Sequence, residues 1–363
     1  MNKIIEGSGK IGVICAGSTY VYAREALGDK ASYLKLGMIN PLPVELIKKF
    51  AATVEKLYVI EELDPIIETH CKAYGIQVIG KEIFSLLGEF NQEIVREKIL
   101  GEKNEKVALD EPIPVRPPVM CCGCPHRGLF SVLKKLNVVV SGDIGCYTLA
   151  SQAPISMLDT CVCMGASVSG LHGFNLARGE EQAKKSVAVL GDSTFIHSGI
   201  TGLINIAYNK TNSKVIVLDN SITGMTGHQQ NPTTGLTLKN EPTTAVDLEA
   251  LAKAVGIQNV VVVDPYNMTK TNEIIKAEFQ KDGPSLIISR RPCALLKSVK
   301  ANPPMKIDKA ACTKCGACLR IGCPAISKED DGSMKIDENQ CVGCGICTHM
   351  CKFGAIKSTR GNA

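Results

Sequence analysis

The chain has 363 residues, 45% of them hydrophobic and 21% charged, with a formal net charge of +5. It is too long for one ordinary core, so two or three domains are expected, and no apolar run reaches the roughly 18 residues of a membrane span. Lys and Arg gather in no stretch, which argues against nucleic acid, and MNKIIEGSGKIGVICAG lacks the basic, apolar and small-residue order of a signal peptide, so a cytoplasmic location is expected.

Short β-rich runs at 10–16, 33–39 and 57–61 alternate with helical patterns at 20–27 and 43–52, the pattern of a parallel α/β sheet. This first domain is expected over 1–107, and the proline-rich ALDEPIPVRPP (108–118) reads as a connector. GSGK (7–10) lacks the glycine spacing and following Ser or Thr of a phosphate loop. A second series fills 119–299, with strands at 137–141, 186–190, 214–219, 259–263 and 285–289. Helices fit at 165–178, 197–209, 246–255 and 268–280, a doubly wound pattern whose ligand sites lie at strand C-termini. After the linker KANPPMK (300–306), residues 303–357 form a cysteine module too small to fold without metal.

Seventeen cysteines in a chain expected in a reducing compartment read as metal ligands, not disulfides. Cys312, Cys315 and Cys318 are spaced C-x2-C-x2-C, as are Cys341, Cys344 and Cys347, and one more cysteine, Cys323 or Cys351, follows each triplet. Such a turn directs three thiolates at one cubane, and the fourth ligand comes from the other half. Cys312, Cys315, Cys318 and Cys351 are thus expected to hold one [4Fe-4S] cluster, and Cys341, Cys344, Cys347 and Cys323 a second. Zinc, the alternative, more often uses paired C-x2-C. The module resembles bacterial two-cluster ferredoxins over its whole length, with one departure: four residues, not three, separate Cys318 from Cys323. The expected fold class is therefore two doubly wound α/β domains plus a small α+β two-cluster ferredoxin domain.

A module that moves electrons singly needs a source of them. GDSTFIHSG (191–199) follows a strand and opens a helix, and Asn220 ends the strand KVIVLD. Gly191 permits a sharp turn, and the helix N-terminus beyond it, from Ser193, favours a diphosphate. Asp192 and Asn220 then sit at neighbouring strand ends and can share one Mg²⁺, with the Ile222 carbonyl as a third ligand. G-D-x followed by such an Asn resembles the thiamine-diphosphate signature. Thr223, Thr226, His228 and Gln229 lie in the loop beyond Asn220 and are candidate lining residues.

Outside the tail, Cys121 and Cys124 form C-x2-C, with Cys146 and Cys293 each after a strand. Converging strand ends would make these four a third thiolate site, with Cys122 competing for Cys121 and with Cys161 and Cys163 reading as buried free thiols. His126 and Arg127 precede a helix and are candidates to meet diphosphate or substrate carboxylate, and His197 to touch the cofactor's aminopyrimidine; the bland readings are a cap, an ion pair and a sheet-facing ring.

CCGCPHRG, SGDIGCYTL, CVCMGAS, LGDSTFIHSG and VLDNSITGMTGHQ together resemble the alpha subunits of indolepyruvate:ferredoxin oxidoreductase, within the 2-oxoacid:ferredoxin oxidoreductases, across essentially the whole chain. The resemblance implies a transketolase C-terminal-like domain (1–107), a diphosphate-binding domain (119–299) and a ferredoxin domain (303–357). It implies catalytic roles for His126, His197 and His228, and cofactor contacts from Gly145, Met164, Gly191, Asp192, Ser193, Asn220, Ile222, Thr223 and Thr226. The implied reaction is oxidative decarboxylation of an arylpyruvate to aryl-acetyl-CoA and CO2, with coenzyme A as acyl acceptor and ferredoxin as electron acceptor. The family's pyrimidine-binding domain, which supplies a glutamate, has no counterpart in these residues, so either the chain is a fragment or the product of a split gene, or a second subunit or partner chain is expected to carry that domain. The alternative is a thiamine-binding electron-transfer subunit that catalyses nothing.

Overall fold

The computed structural model describes residues 1–105 and 109–359; the expected end of the first domain at 107 lies outside the described residues. The chain divides into two compact units, Met1–Pro114 and Val115–Ala363.

In the first unit, strands β1 (Lys3–Ile5), β2 (Ile11–Ala16), β3 (Ala31–Leu36) and β4 (Lys56–Ile60) form one sheet in the order β1-β3-β2-β4. Successive residues of β2 serve opposite faces, as the two-residue period of a strand requires. Val13 and Cys15 pack with α1 (Ser18–Leu27) and α4 (Gln92–Leu100), while Ile14 packs with α2 (Val44–Ala51) and α3 (Ile66–Ala73). The sheet is not wholly parallel: β1 pairs antiparallel with β3 at the edge. The strand expected over 33–39 runs instead over Ala31–Leu36; Gly37, just beyond it, comes so close to Met1 that a side chain there would collide with it.

The second unit centres on a six-stranded, all-parallel sheet of β5 (Val139–Gly142), β6 (Thr160–Cys161), β7 (Ser186–Gly191), β8 (Lys214–Asp219), β9 (Asn259–Val263) and β10 (Ser285–Arg290). Its order is β6-β5-β7-β8-β10-β9. Helices cover both faces. Leu129 and Leu133 of α5 (His126–Leu136) and Ile275 of α11 (Met268–Gln280) pack against Val187, Val189 and Ile216. On the other face, α6 (Ala166–Arg178), α9 (Ile200–Asn209) and α10 (Leu248–Ala254) pack against Ala188, Leu190 and Val217. The chain leaves β5 for β6 on one side and returns to β7 on the other, so the strand order reverses between β5 and β7, where a ligand crevice opens in such sheets.

The cysteine module belongs to the same unit. Two short antiparallel pairs, Met305–Ile307 with Ile356–Ser358 and Ile326–Lys328 with Met334–Ile336, flank two 3₁₀ turns, Ala317–Ile321 and Ile346–Met350. Its core is Ile321, Ile326, Met334, Ile346 and Ile356 with Cys318 and Cys347, a small apolar set. The extra residue before Cys323 is absorbed by Gly322, which turns left-handed (φ 68°) where the first 3₁₀ turn ends. Among the described residues no helix is long and apolar enough to cross a membrane.

Candidate active site and cysteine centres

A cleft of about 520 Å³, counting space open to solvent, lies at the C-terminal ends of β5, β7 and β8. It brings together His126, Gly145, Cys146, Met164, Gly191, Asp192, Ser193, Asn220, Ile222, Thr223 and Thr226. β7 and β8 pair parallel with Gly191 opposite Leu218, so Asp192 and Asn220 leave adjacent strand ends together. Asp192 is 2% exposed; its carboxylate accepts the N–H groups of Ser193 (2.7 Å) and Ser221 (3.1 Å). Burial first, with Asp219 adding repulsion, pushes the Asp192 carboxyl up to about 7. A carboxylate so poorly solvated is one that a cation would complete. Asn220 is 8% exposed and lines the same cleft, and Ser221 turns left-handed (φ 59°) between it and Ile222. These donors fit a hard cation and the diphosphate it would carry.

Gly145 and Gly191 are glycines because Tyr147 lies across both: a side chain on Gly145 would meet its ring at 2.3 Å and one on Gly191 at 3.1 Å. Tyr147 is 3% exposed, donates its O–H to the Ile144 carbonyl (2.8 Å) and meets the His126 ring edge-on. Burial holds His126 down to about 4, so the cleft is walled by a neutral imidazole. Asp143 is fully buried and accepts the N–H groups of Ile144, Gly165 and Ser167, pinning the start of α6 and the Met164 turn beside the cleft. Ser198 donates to the Met164 carbonyl (2.8 Å) from a π turn, Phe195–Gly199, that follows the single-turn helices α7 (Glu180–Ala183) and α8 (Asp192–Thr194) in the chain. Sequence reasoning missed Tyr147 and Asn231. The latter is buried, bonded to Thr223 and Thr233, and brought back to Asp192 by the loop bridge between Thr223 and Gln229.

Two of the three candidate histidines lie elsewhere. His197 lies on the π turn and is exposed, its Nδ1 3.0 Å from the Ser198 hydroxyl. His228 is exposed in the loop beyond Asn220, in a left-handed conformation. Cys161 and Cys163 are exposed, not buried as expected. Arg127, expected to face an anion, is 3% exposed and turns instead to carbonyl groups of Met120, Ile321 (3.1 Å) and Gly322, tying the loop before α5 to the cysteine module.

Twelve of the seventeen cysteines fall into three sets. Cys121, Cys124, Cys146 and Cys293 are electrostatic neighbours: beyond burial, Cys121 and Cys146 raise the Cys124 thiol, Cys293 and Cys121 the Cys146 thiol, and Cys121 the Cys293 thiol. Cys146 also walls the cleft, and Cys293 is stitched beside the end of β8 by its N–H to the Asn220 carbonyl (2.9 Å). Cys323, Cys341, Cys344 and Cys347 line one cavity of the module; Cys312, Cys315, Cys318 and Cys351 line another. Backbone N–H groups of Met305 and Ala355 point at the sulfurs of Cys341 (3.3 Å) and Cys351 (3.4 Å), donors suited to thiolates. Burial pushes Cys124 and Cys347 up to about 12, so a bound metal would have to expel their protons. Among the described residues no three such side chains converge tightly enough to chelate one ion. Tetrahedral zinc at about 2.3 Å would need its sulfurs within about 4 Å of one another. Cys122 departs from the first set: it lies by Cys323 and lines the Cys323 cavity.

Residues 143–289 match the family "Thiamine pyrophosphate enzyme, C-terminal TPP binding domain", and residues 334–357 the family "4Fe-4S binding domain". Fold and matches together define a protein with a thiamine-diphosphate-binding domain and a 4Fe-4S-binding segment. Indolepyruvate oxidoreductase subunit IorA of Pyrococcus horikoshii is 36% identical over 98% of this chain and 62% of its own length. That of Thermococcus kodakarensis is 37% identical over 89% of this chain and 56% of its own length. The chain is similar to these indolepyruvate oxidoreductase subunits along most of its own length, and it spans about three fifths of the length of those relatives. Among solved structures, a 2-oxoglutarate:ferredoxin oxidoreductase from Magnetococcus marinus aligns with 51% of this chain and 67% of its own, at 18% identity and a TM-score of 0.43.

Proposed function

We propose that this chain is the cofactor-binding and electron-exporting part of an indolepyruvate-type 2-oxoacid:ferredoxin oxidoreductase. The overall reaction is an arylpyruvate anion, coenzyme A and two oxidised ferredoxins giving aryl-acetyl-CoA, CO2, a proton and two reduced ferredoxins. Asp192, Asn220 and the Ile222 carbonyl hold Mg²⁺, the turn at Gly191–Ser193 receives the diphosphate, and Gly145, Met164, Thr223 and Thr226 line the cofactor. Thiamine diphosphate, when bound, supplies the electron sink that makes decarboxylation of a 2-oxoacid possible. His126 offers the cleft a hydrogen-bonding group without charge. Cys121, Cys124, Cys146 and Cys293 hold a proximal [4Fe-4S] cluster, and the two module sets hold two more. A second subunit or segment completes the site at the pyrimidine end. The domains are assigned as 1–107, 119–299 and 303–357.

The observation that carries this reading is that Cys146 walls the Asp192–Asn220 cleft while belonging to the first cysteine set, so cofactor and electron path meet at one residue. The test is anaerobic calorimetry of thiamine diphosphate with Mg²⁺ on the full complex. Asp192→Asn should weaken binding at least about 100-fold while leaving iron content unchanged. Equal affinity in both proteins would sink the assignment.

A further inference from the structure

The two cavities of the cysteine module are not equivalent. The Cys323 cavity is closed by Cys122, Gly123 and Arg127 of the α/β domain, whereas the Cys312 cavity is lined by module residues alone. If electrons leave the cleft through the first cysteine set, the Cys323 set comes next and the Cys312 set last. Cys315 of that last set is exposed, and it opens onto a groove of about 1870 Å³, counting solvent space, between α5, α11 and the two 3₁₀ turns. Five exposed cationic or potentially cationic side chains line the groove: Lys134, Lys135, Arg320, His349 and Lys352. Glu273 is its one acid. The last turn of α5 accounts for two of the cations, since lysines suit a helix C-terminus. Arg320, His349 and Lys352 come from two separate turns, and none of these five pairs with an acid among the described residues. Phe353, 54% exposed, adds an apolar contact at the same rim.

We propose that this groove docks a small acidic protein that accepts electrons one at a time. The proposal rests on reading the cysteine sets as clusters. Charge, not size, selects the occupant: one-signed charge around an exposed redox ligand steers a protein of opposite sign into contact. Docking there puts the acceptor against the last cluster rather than against the cofactor cleft.

The test supplies electrons chemically, so it does not depend on turnover of any 2-oxoacid. The full complex is reduced with dithionite, freed of excess reductant and mixed in stopped flow with an oxidised acidic 2[4Fe-4S] ferredoxin at 20 and 300 mM NaCl. The second-order rate should fall at least about 10-fold with salt, since the Debye length shortens from about 20 Å to about 6 Å. At low salt, Lys135→Glu with Lys352→Glu should slow ferredoxin reduction by a similar factor while leaving iron content and reduction of methyl viologen, a small cation, intact. Lys253→Glu, on α10 across the sheet, should stay within twofold of wild type. A double variant as fast as wild type, an equal loss with both acceptors, or an equal loss from Lys253→Glu overturns the proposal. So does a short DNA duplex that competes with the ferredoxin at equal charge concentration. A complex that holds no iron refutes the cluster reading and the docking site together, whereas a complex that holds iron and reduces viologen but not the ferredoxin refutes the docking site alone.

Discussion

Arg127→Met is the substitution from which most can be learned. The guanidinium is 3% exposed, and no acidic side chain among the described residues pairs with it. Its charge is met by carbonyl groups on two sides: Met120 and, more weakly, Cys121 (3.4 Å) from the loop before α5, and Ile321 and Gly322 from the cysteine module. Gly322 is the extra residue between Cys318 and Cys323, and any side chain there would meet both Arg127 and Pro154 at about 3 Å. Removing the guanidinium orphans four carbonyls, of which those of Met120, Ile321 and Gly322 are buried or partly buried, at about 1–3 kcal/mol for each of these three, offset in part by relief of a costly buried charge. A net loss of about 3–5 kcal/mol is expected. Cluster proteins unfold irreversibly, so the assay is a rate: loss of cluster absorbance in anaerobic guanidinium should be about 100-fold faster or more. The cation also acts on Cys124 and Cys122, offsetting part of the burial that raises both thiol pKa values. A unit charge at roughly 7–10 Å and an effective dielectric of about 20 acts with about 2 kcal/mol. For a one-electron couple that is roughly 70–100 mV, so Arg127→Met should lower the potential of the Cys323-set cluster by that amount. Arg127→Lys should restore most of the potential but not the stability. Potentials unchanged within about 20 mV, with cluster loss no faster than wild type, would refute the electrostatic and the tethering arguments alike.

Three further outcomes follow from the same contacts. Gly123→Ala puts a methyl 2.3 Å from Val342 at a left-handed position (φ 71°), and should cost about 2–4 kcal/mol in the same cluster-loss assay. Val342→Ala in that background should recover the clash but not the backbone strain. Lys214 is fully buried at the start of β8, its ammonium donating to the carbonyls of Lys281 (2.7 Å) and Gly283 (2.6 Å), and burial holds it down to about 8 from 10.5. The unfolded chain keeps that proton up to pH 10.5, so the folded state bears the full penalty below pH 8 and sheds it as pH rises towards 10.5. Between pH 7 and 10 wild type should gain up to about 2–3 kcal/mol relative to Lys214→Met, read as slower loss of cluster absorbance in anaerobic guanidinium. Cys122→Ser should keep all of the wild-type iron, because Cys122 stands by Cys323 outside the first cysteine set.

The repeated triplets and their crossed partners were legible because ligand spacing is local: a C-x2-C-x2-C turn presents its thiols whatever surrounds it. Asp192 and Asn220 were legible because each ends a strongly β-patterned run, and parallel strands carry their C-termini to one edge. What depends on long-range packing was not. Arg127 adjoins a cleft residue in sequence, yet its partners Ile321 and Gly322 lie some 195 positions away. His197 sits one turn after Asp192, where an α-helical turn and a π turn aim side chains differently, and no local propensity distinguished them. Tyr147 reads as an ordinary apolar residue until two glycines fold under its ring. The antiparallel edge strand Lys3–Ile5 is too short to carry a pattern.

The central claim is that three cysteine sets hold clusters in series from the Asp192–Asn220 cleft outwards. Iron and acid-labile sulfide per chain, measured on anaerobically purified complex, test it most directly. Wild type and Cys122→Ser should each hold about twelve irons and twelve sulfides, and Cys121→Ser and Cys293→Ser about eight, since a [4Fe-4S] cluster holds four of each. About eight irons in wild type, with no change in either variant, would leave the four cysteines beside the cleft as thiols and contradict the account.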